Sequence, residues 1–258
     1  MSRTVVFIHG AWMTPACWER FTGRYEARGW AVLAPPWPLE DRPIDELRAQ
    51  PDPALAAIGV SEIVDHYAAV IAALPEPPLL VGHSFGGLFV QMLLDRGLGA
   101  AGVAIDPAPP RWVLATPKAI CGSLSVLLTP FGWRKTLRMS FDAFSKTFAN
   151  RVPADQQRAE YDRHIVPTPG RIFFQDAVGK GTGVRFNNPS RAPLLITAAS
   201  DDLTVDPAMV RANFRKYRGA ALTDFHEFSG HSHFLIAEPG WGEVADYTLD
   251  WAEMHIPA

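Results

Sequence analysis

The 258-residue chain predicts an α/β fold: a mostly parallel six-stranded sheet flanked by helices, with a helical cap inserted between the fourth and fifth strands. Three observations carry that prediction. Short, continuous apolar runs alternate with longer amphipathic patterns, the order that builds a parallel sheet with helices on its faces. An apolar content of 48% supplies material for one large core or two modest ones. One gap between strand-like runs, from Pro107 to Arg191, far exceeds the dozen or so residues a crossover needs.

The elements follow in order. Val5-Val6-Phe7-Ile8 is rich in β-branched and aromatic residues, stops at His9-Gly10, and reads as a strand buried on both faces. A helix is expected after Pro15, ending near Arg28, with Gly29 placed to take the left-handed conformation that closes it. Trp30 to Ala34 is the second strand, stopped by Pro35-Pro36. A helix from Ser61, read as its N-cap, runs to Leu74 and ends before Pro75. Leu79-Leu80-Val81 and Gly102-Val103-Ala104-Ile105 are strands three and four, separated by an apolar helix from Phe85 to Arg96. Leu194 to Thr197 and Leu222 to Phe228 complete the six. The last helix carries Trp241, Val244, Ala245, Leu249 and Ala252 on one apolar face.

The long gap is not disordered by composition, because Trp112, Trp133, Phe141, Phe144 and Phe148 can support a core. Leu137, Phe141, Phe144 and Phe148 have helical spacing, and Pro153 precedes a second helix candidate, Ala154 to His164. The expected division is therefore a core of residues 1–106 and 192–258 and a helical cap of 107–191. Leu124 to Leu128, with Phe131 and Trp133, reads as cap packing on the sheet domain. Gly179-Lys180-Gly181-Thr182-Gly183 lacks the spacing of a phosphate-binding loop and reads as a flexible cap loop.

Composition excludes several functions. Lys+Arg number 24 against 27 Asp+Glu, so no basic face is available for a nucleic-acid backbone. Two cysteines, Cys17 and Cys121, lie far apart and outside metal-ligand spacing, which argues against a zinc site or a disulfide scaffold and suits a reducing cytosol. No signal peptide and no run of about 18 apolar residues is found, so a cytoplasmic protein without a membrane span is expected.

Gly82-His83-Ser84-Phe85-Gly86 follows a strand and opens an apolar helix, matching the G-x-S-x-G nucleophile elbow in residues and context. A serine at a tight strand-to-helix turn needs neighbours without side chains, hence Gly82 and Gly86. Its hydroxyl then projects at a helix N-terminus, where unpaired N–H groups favour developing negative charge. A serine hydroxyl is a weak nucleophile at neutral pH, so a base and an orienting acid are required. The chain order for this elbow is serine, acid, histidine. Asp201-Asp202 after the fifth strand and His231-Ser232-His233 after the sixth supply both, with the choice within each doublet open on the residues alone.

Together with His9-Gly10 after the first strand, these features resemble the α/β-hydrolase fold enzymes of the serine-nucleophile, capped type. The resemblance covers the chain except the cap, and implies that the sheet lacks the first strands of the full eight-stranded form. It favours Asp202, which has Val205 three residues on, over Asp201. Asp106 occupies a position that some relatives use for an alternative acid. Asp206 is expected to N-cap the helix starting at Pro207. The resemblance favours His233, followed by Phe234, Glu238 and Pro239, over His231. It implies an oxyanion hole from the N–H groups of Phe85 and Ala11, with Trp12 as the alternative to Ala11. His9 and His83 are expected to be structural. The implied activity is ester cleavage of a small-molecule substrate through an acyl-enzyme, with no metal or organic cofactor. The His9-Gly10-Ala11-Trp12 loop is also similar to that of plant-type methylesterases and their lyase relatives, so carbon–carbon cleavage on the same triad stays open. So does a slow-turnover small-molecule receptor.

Overall fold

The computed structural model describes residues 3–116 and 126–256. Six strands form one sheet in the order β2-β1-β3-β4-β7-β8. They are β1 (Thr4–Ile8), β2 (Ala31–Leu33), β3 (Leu79–His83), β4 (Ala101–Ile105), β7 (Leu194–Ala199) and β8 (Thr223–Phe228). Every neighbouring pair is parallel, with Val5 opposite Leu79, Leu79 opposite Ala101, Gly102 opposite Leu194 and Leu194 opposite Thr223. The four central strands are buried almost throughout, which explains their continuous apolar sequences. The edge strands β2 and β8 stay partly exposed, and β8 carries polar residues at four of its six positions.

The helices are α1 (Glu19–Glu26), α2 (Ile44–Ala49), α3 (Val60–Ala72), α4 (Phe85–Asp95), α5 (Ala154–His164), α6 (Arg171–Ala177), α7 (Pro207–Lys216) and α8 (Trp241–His255). Trp18, just before α1, stacks on Phe7 of β1 with ring centres 4.8 Å apart, and Tyr25 meets the same ring edge-on at 5.1 Å. The Tyr25 hydroxyl lies 3.1 Å from Thr248 Oγ1, tying α1 to α8. On α4, Gln91 Oε1 accepts hydrogen bonds from Asn213 and Tyr217, which anchors α7. Asp206 caps α7 through a bond from the Ala208 N–H, 2.9 Å. The N-cap of α3 is Gly59 rather than Ser61, because the Glu62 carboxylate reaches back to accept the Gly59 N–H at 3.1 Å.

The segment joining β4 to β7 departs from the predicted helix through Leu137. Thr136–Leu137 (β5) pairs antiparallel with Thr168–Pro169 (β6), with Leu137 opposite Thr168. A ladder partner takes the backbone that a helix would have used. Ser140 then caps a single α turn at Phe141–Ala143, which continues as a π turn over Phe144–Phe148. Phe144 and Phe148 are nonetheless buried, against Phe234 beyond β8. Trp12 Nε1 donates to Leu137 O at 3.1 Å and Trp12 O accepts from Val166 N at 2.9 Å, so the loop after β1 holds this segment at two points. Val126 packs against the core, whereas Leu128, Phe131 and Trp133 are exposed. Leu124 and Cys121 lie outside the described residues. Gly179 and Gly181, both with positive φ, form the turn after α6. Among the described residues no helix is long and apolar enough to cross a membrane.

Candidate active site

A parallel sheet gathers the loops after its strands at one edge. Ser84 after β3, Asp106 after β4, Asp201 and Asp202 after β7, and His231 and His233 after β8 all leave the sheet there, beside the loop His9 to Trp12. Ser84 has φ 56° and ψ −120°. That conformation is strained for a residue with a side chain, by about 1–3 kcal/mol. Three hydrogen bonds hold it: Ser84 N donates to Ile105 O (3.0 Å), and Ser84 O accepts from Leu88 N (3.1 Å) and Ala108 N (3.0 Å). The flanking glycines are required by close approach. A Cβ on Gly82 would lie 2.2 Å from Gly86 O, and one on Gly86 2.0 Å from Ile8 O. Phe85 is the first residue of α4, so its N–H has no partner within the helix. An added Cβ on Gly10 would sit 2.8 Å from the Ser84 Cβ, which shows how near the β1 loop comes to the serine.

His233 is fully buried, and its Nδ1 donates to Asp202 Oδ2 at 2.5 Å. The other Asp202 oxygen accepts the N–H groups of Thr204 (2.6 Å) and Val205 (2.8 Å), which orients the carboxylate toward the ring. With the proton on Nδ1, Nε2 carries the lone pair, and among the described residues it has no hydrogen-bond partner. The ring lies edge-on to Phe148, with centres 4.8 Å apart, and 4.6 Å from the ring of His83, the residue before Ser84. His83 Nε2 donates to His233 O at 2.8 Å, coupling the histidine loop to the elbow.

Donor atoms of Asp106, Asp202 and His233 all lie within 4.8 Å of one another. Asp106 is fully buried, and burial, reinforced by the neighbouring Asp202, holds its carboxyl well above the usual range. The shift favours the uncharged form, which can sit beside a second carboxyl group without the repulsion between two charges. The remaining candidates go elsewhere. Asp201 pairs with Arg151 at the surface. His231 Nδ1 meets Glu238 Oε1 at 2.9 Å, and the same buried carboxylate accepts the N–H and hydroxyl of Ser232. That carboxylate pins the loop between the two histidines.

His9 does not present a free base. Its Nδ1 donates to Gly10 O (3.0 Å) while Nε2 accepts from Trp37 N (3.2 Å), and the ring stacks on Trp37. Burial lowers its pKa to about 4. Between pH 4 and 6.5 the unfolded chain binds a proton at this position that the fold refuses, so the stability His9 confers is lost as pH falls through that window. Buried Glu40 and Asp106 act in the opposite sense, since their raised pKa values favour the fold at low pH. A difference measurement cancels Asp106, and made in a Glu40→Gln background it also removes Glu40, whose Oε2 lies 3.8 Å from His9 Nε2. The stability gap opened by His9→Gln in that background, read from denaturant midpoints, is expected to shrink by about 3 kcal/mol from pH 6.5 to 4. A pH-independent gap contradicts a buried neutral ring.

Beside the elbow lies a cavity of about 470 Å³ lined by Ser84, Phe85, Ala11 and Trp12 and, from the β4–β7 segment, by Leu137, Met139 and Phe173. Its size and largely apolar wall suit a small organic ligand. Phe173 stacks on Trp12 (4.7 Å) and meets Phe85 edge-on (5.3 Å), joining that segment to the residues flanking Ser84. One lining residue that the sequence does not single out is Asp176. Its only linear signal is a position one turn beyond Phe173, on a helix too short to register as periodic.

A family model described as the alpha/beta hydrolase family matches residues 5–246. Similar solved structures include a pyrethroid hydrolase from Sphingobium faniae JZ-2, 19% identical, covering 98% of each chain with a TM-score of 0.70. A monoacylglycerol lipase from Paleococcus ferrophilus is 21% identical, covering 98% of this chain and 95% of that one, TM-score 0.67. A methylesterase from Arabidopsis is 15% identical, covering 98% and 99%, TM-score 0.70. No curated protein matches the sequence.

Proposed function

The chain belongs to the alpha/beta hydrolase family, and from that membership and the geometry around Ser84 we propose that it is a serine hydrolase that cleaves carboxylic esters through an acyl-enzyme. One observation carries the reading. A strained serine on the wall of an apolar cavity follows His83, whose ring lies 4.6 Å from that of a buried histidine whose Nδ1 is held by a carboxylate and whose Nε2 is unclaimed among the described residues.

The chemistry follows from those groups. Ser84 Oγ attacks the ester carbon and its proton passes to His233 Nε2. Asp202 holds the ring in the tautomer that leaves Nε2 free, and stabilises the imidazolium that forms. The N–H groups of Phe85 and Ala11 receive the negative charge on the former carbonyl oxygen. The imidazolium then protonates the departing alkoxide, and the alcohol leaves. Water attacks the acyl-enzyme, gives its proton to His233, and the acid departs as Ser84 recovers its own. In this reading residues 107–191 are a cap whose Leu137, Met139 and Phe173 close the cavity over the core of 1–106 and 192–258. The apolar lining favours an apolar acyl or alcohol group. The names lipase and methylesterase among the similar structures support an ester as the substrate.

A panel of p-nitrophenyl esters set against a cyanohydrin tests the assignment. Ester turnover with an initial burst of nitrophenol equal to the enzyme concentration is expected. Cyanohydrin cleavage without ester turnover would assign the site to a lyase instead. Ligand-induced stabilisation with no product from either would favour a receptor.

A further inference from the structure

The polar side chains around the cavity are mostly committed to the protein. Ser140 Oγ accepts from Ala143 N (3.1 Å), Thr147 Oγ1 donates to Ala143 O (2.7 Å), and Thr204 Oγ1 donates to Thr147 O (3.2 Å). Arg138 lies over the Tyr161 ring. Asp176 differs. Its Oδ1 is buried and has no hydrogen-bond partner among the described residues, although the side chain lines the same cavity as Ser84.

No group among the described residues compensates that oxygen. Asp176 stands in the last turn of α6, where the helix dipole disfavours negative charge. Burial alone raises its pKa, to about 7, with no contribution from a cationic neighbour. A buried polar group left unmatched inside an otherwise apolar ligand cavity is the arrangement by which such sites fix the orientation of what they bind. We propose that Asp176 is a specificity-determining residue that receives a hydroxyl group carried by the substrate on an otherwise apolar body.

This rests on the ester-hydrolase reading and deepens it. Phe173 borders Phe85 at the elbow, and Asp176 follows one turn later, about 4.5 Å further along the helix axis. The hydroxyl is thus separated from the reacting carbonyl by several bonds. A hydroxyl fits the position in either protonation state of the carboxyl, since both states can accept a hydrogen bond from it. A protonated carboxyl can both donate to and accept from a hydroxyl.

The test compares methyl ω-hydroxyalkanoates of graded length with methyl alkanoates of the same length. At one or more lengths the wild type is expected to turn over the hydroxy ester with kcat/KM about tenfold or more above its plain partner. Asp176→Leu is expected to abolish that ratio and Asp176→Asn, which keeps an acceptor and a donor, to retain it. A wild type with no preference at any length overturns the proposal, whether or not the leucine variant folds. So does a ratio that Asp176→Leu leaves unchanged. If the wild type hydrolyses neither series, the ester reading fails on its own. Calorimetric binding of the same pairs to Ser84→Ala then still reports the hydroxyl preference, and its absence overturns the role of Asp176.

Discussion

Ser84→Ala is expected to lower ester turnover by about 10⁴- to 10⁶-fold, with folding stability unchanged to within about 1 kcal/mol. The two halves have separate physical causes. The substitution removes only Oγ, and with it the atom that would form the acyl bond. The remaining cavity and N–H donors can offer no more than the residual acceleration that binding and oxyanion contacts provide. The backbone, by contrast, is fixed by the bonds to Ile105, Leu88 and Ala108 and by the contacts of Gly82 and Gly86, none of which involves the hydroxyl. Initial rates on a short-chain ester, with a denaturant midpoint for each protein, check both. Retention of a tenth of the activity would remove Ser84 from the chemistry.

Asp202→Asn is expected to cost about 10⁴-fold in kcat. An asparagine amide can donate to Nδ1, which moves the ring proton to Nε2 and leaves no lone pair for the serine. Asp106 provides the contrast within the same cluster. Burial, reinforced by Asp202, raises the pKa of its carboxyl, and Asp106→Asn keeps the volume with an uncharged amide. A loss below about tenfold is expected there. Equal losses in the two variants would show that the acid is shared between them. A larger loss at Asp106 would reverse their roles. The comparison is informative because either carboxylate, read from the sequence, stands at the end of a strand on the same sheet edge.

Much of the fold was legible because parallel strands buried on both faces must be continuously apolar. Val5 to Ile8, Leu79 to Val81, Gly102 to Ile105 and Leu194 to Thr197 each lie within an observed strand. Elements without such a constraint were not visible. The six-residue α2 and seven-residue α6 are too short for a periodic signal. Leu137 has helical spacing to Phe141, yet its backbone pairs with Thr168. Apolar spacing cannot distinguish one arrangement from the other.

At the candidate site, the residues that could be named were those tied to backbone rules. Ser84 stands out because Gly82 and Gly86 bracket it where no side chain fits. The family resemblance favoured Asp202 over Asp201 through Val205 three residues on, and in the fold the Val205 N–H is one of its two backbone donors. Properties created by burial left no mark in the sequence. The raised pKa of Asp106 comes from its burial and from Asp202, which is far away along the chain. The unmatched carboxyl of Asp176 depends on a cavity assembled from several loops.

The most direct measurement is covalent labelling with a fluorophosphonate, followed by mass spectrometry of the digested protein. One adduct per chain is predicted, on the peptide carrying Ser84, blocking ester turnover in proportion to its formation and absent from Ser84→Ala. Full ester turnover by a protein that takes up no label there, or an inactivating adduct on a different serine, would contradict the account.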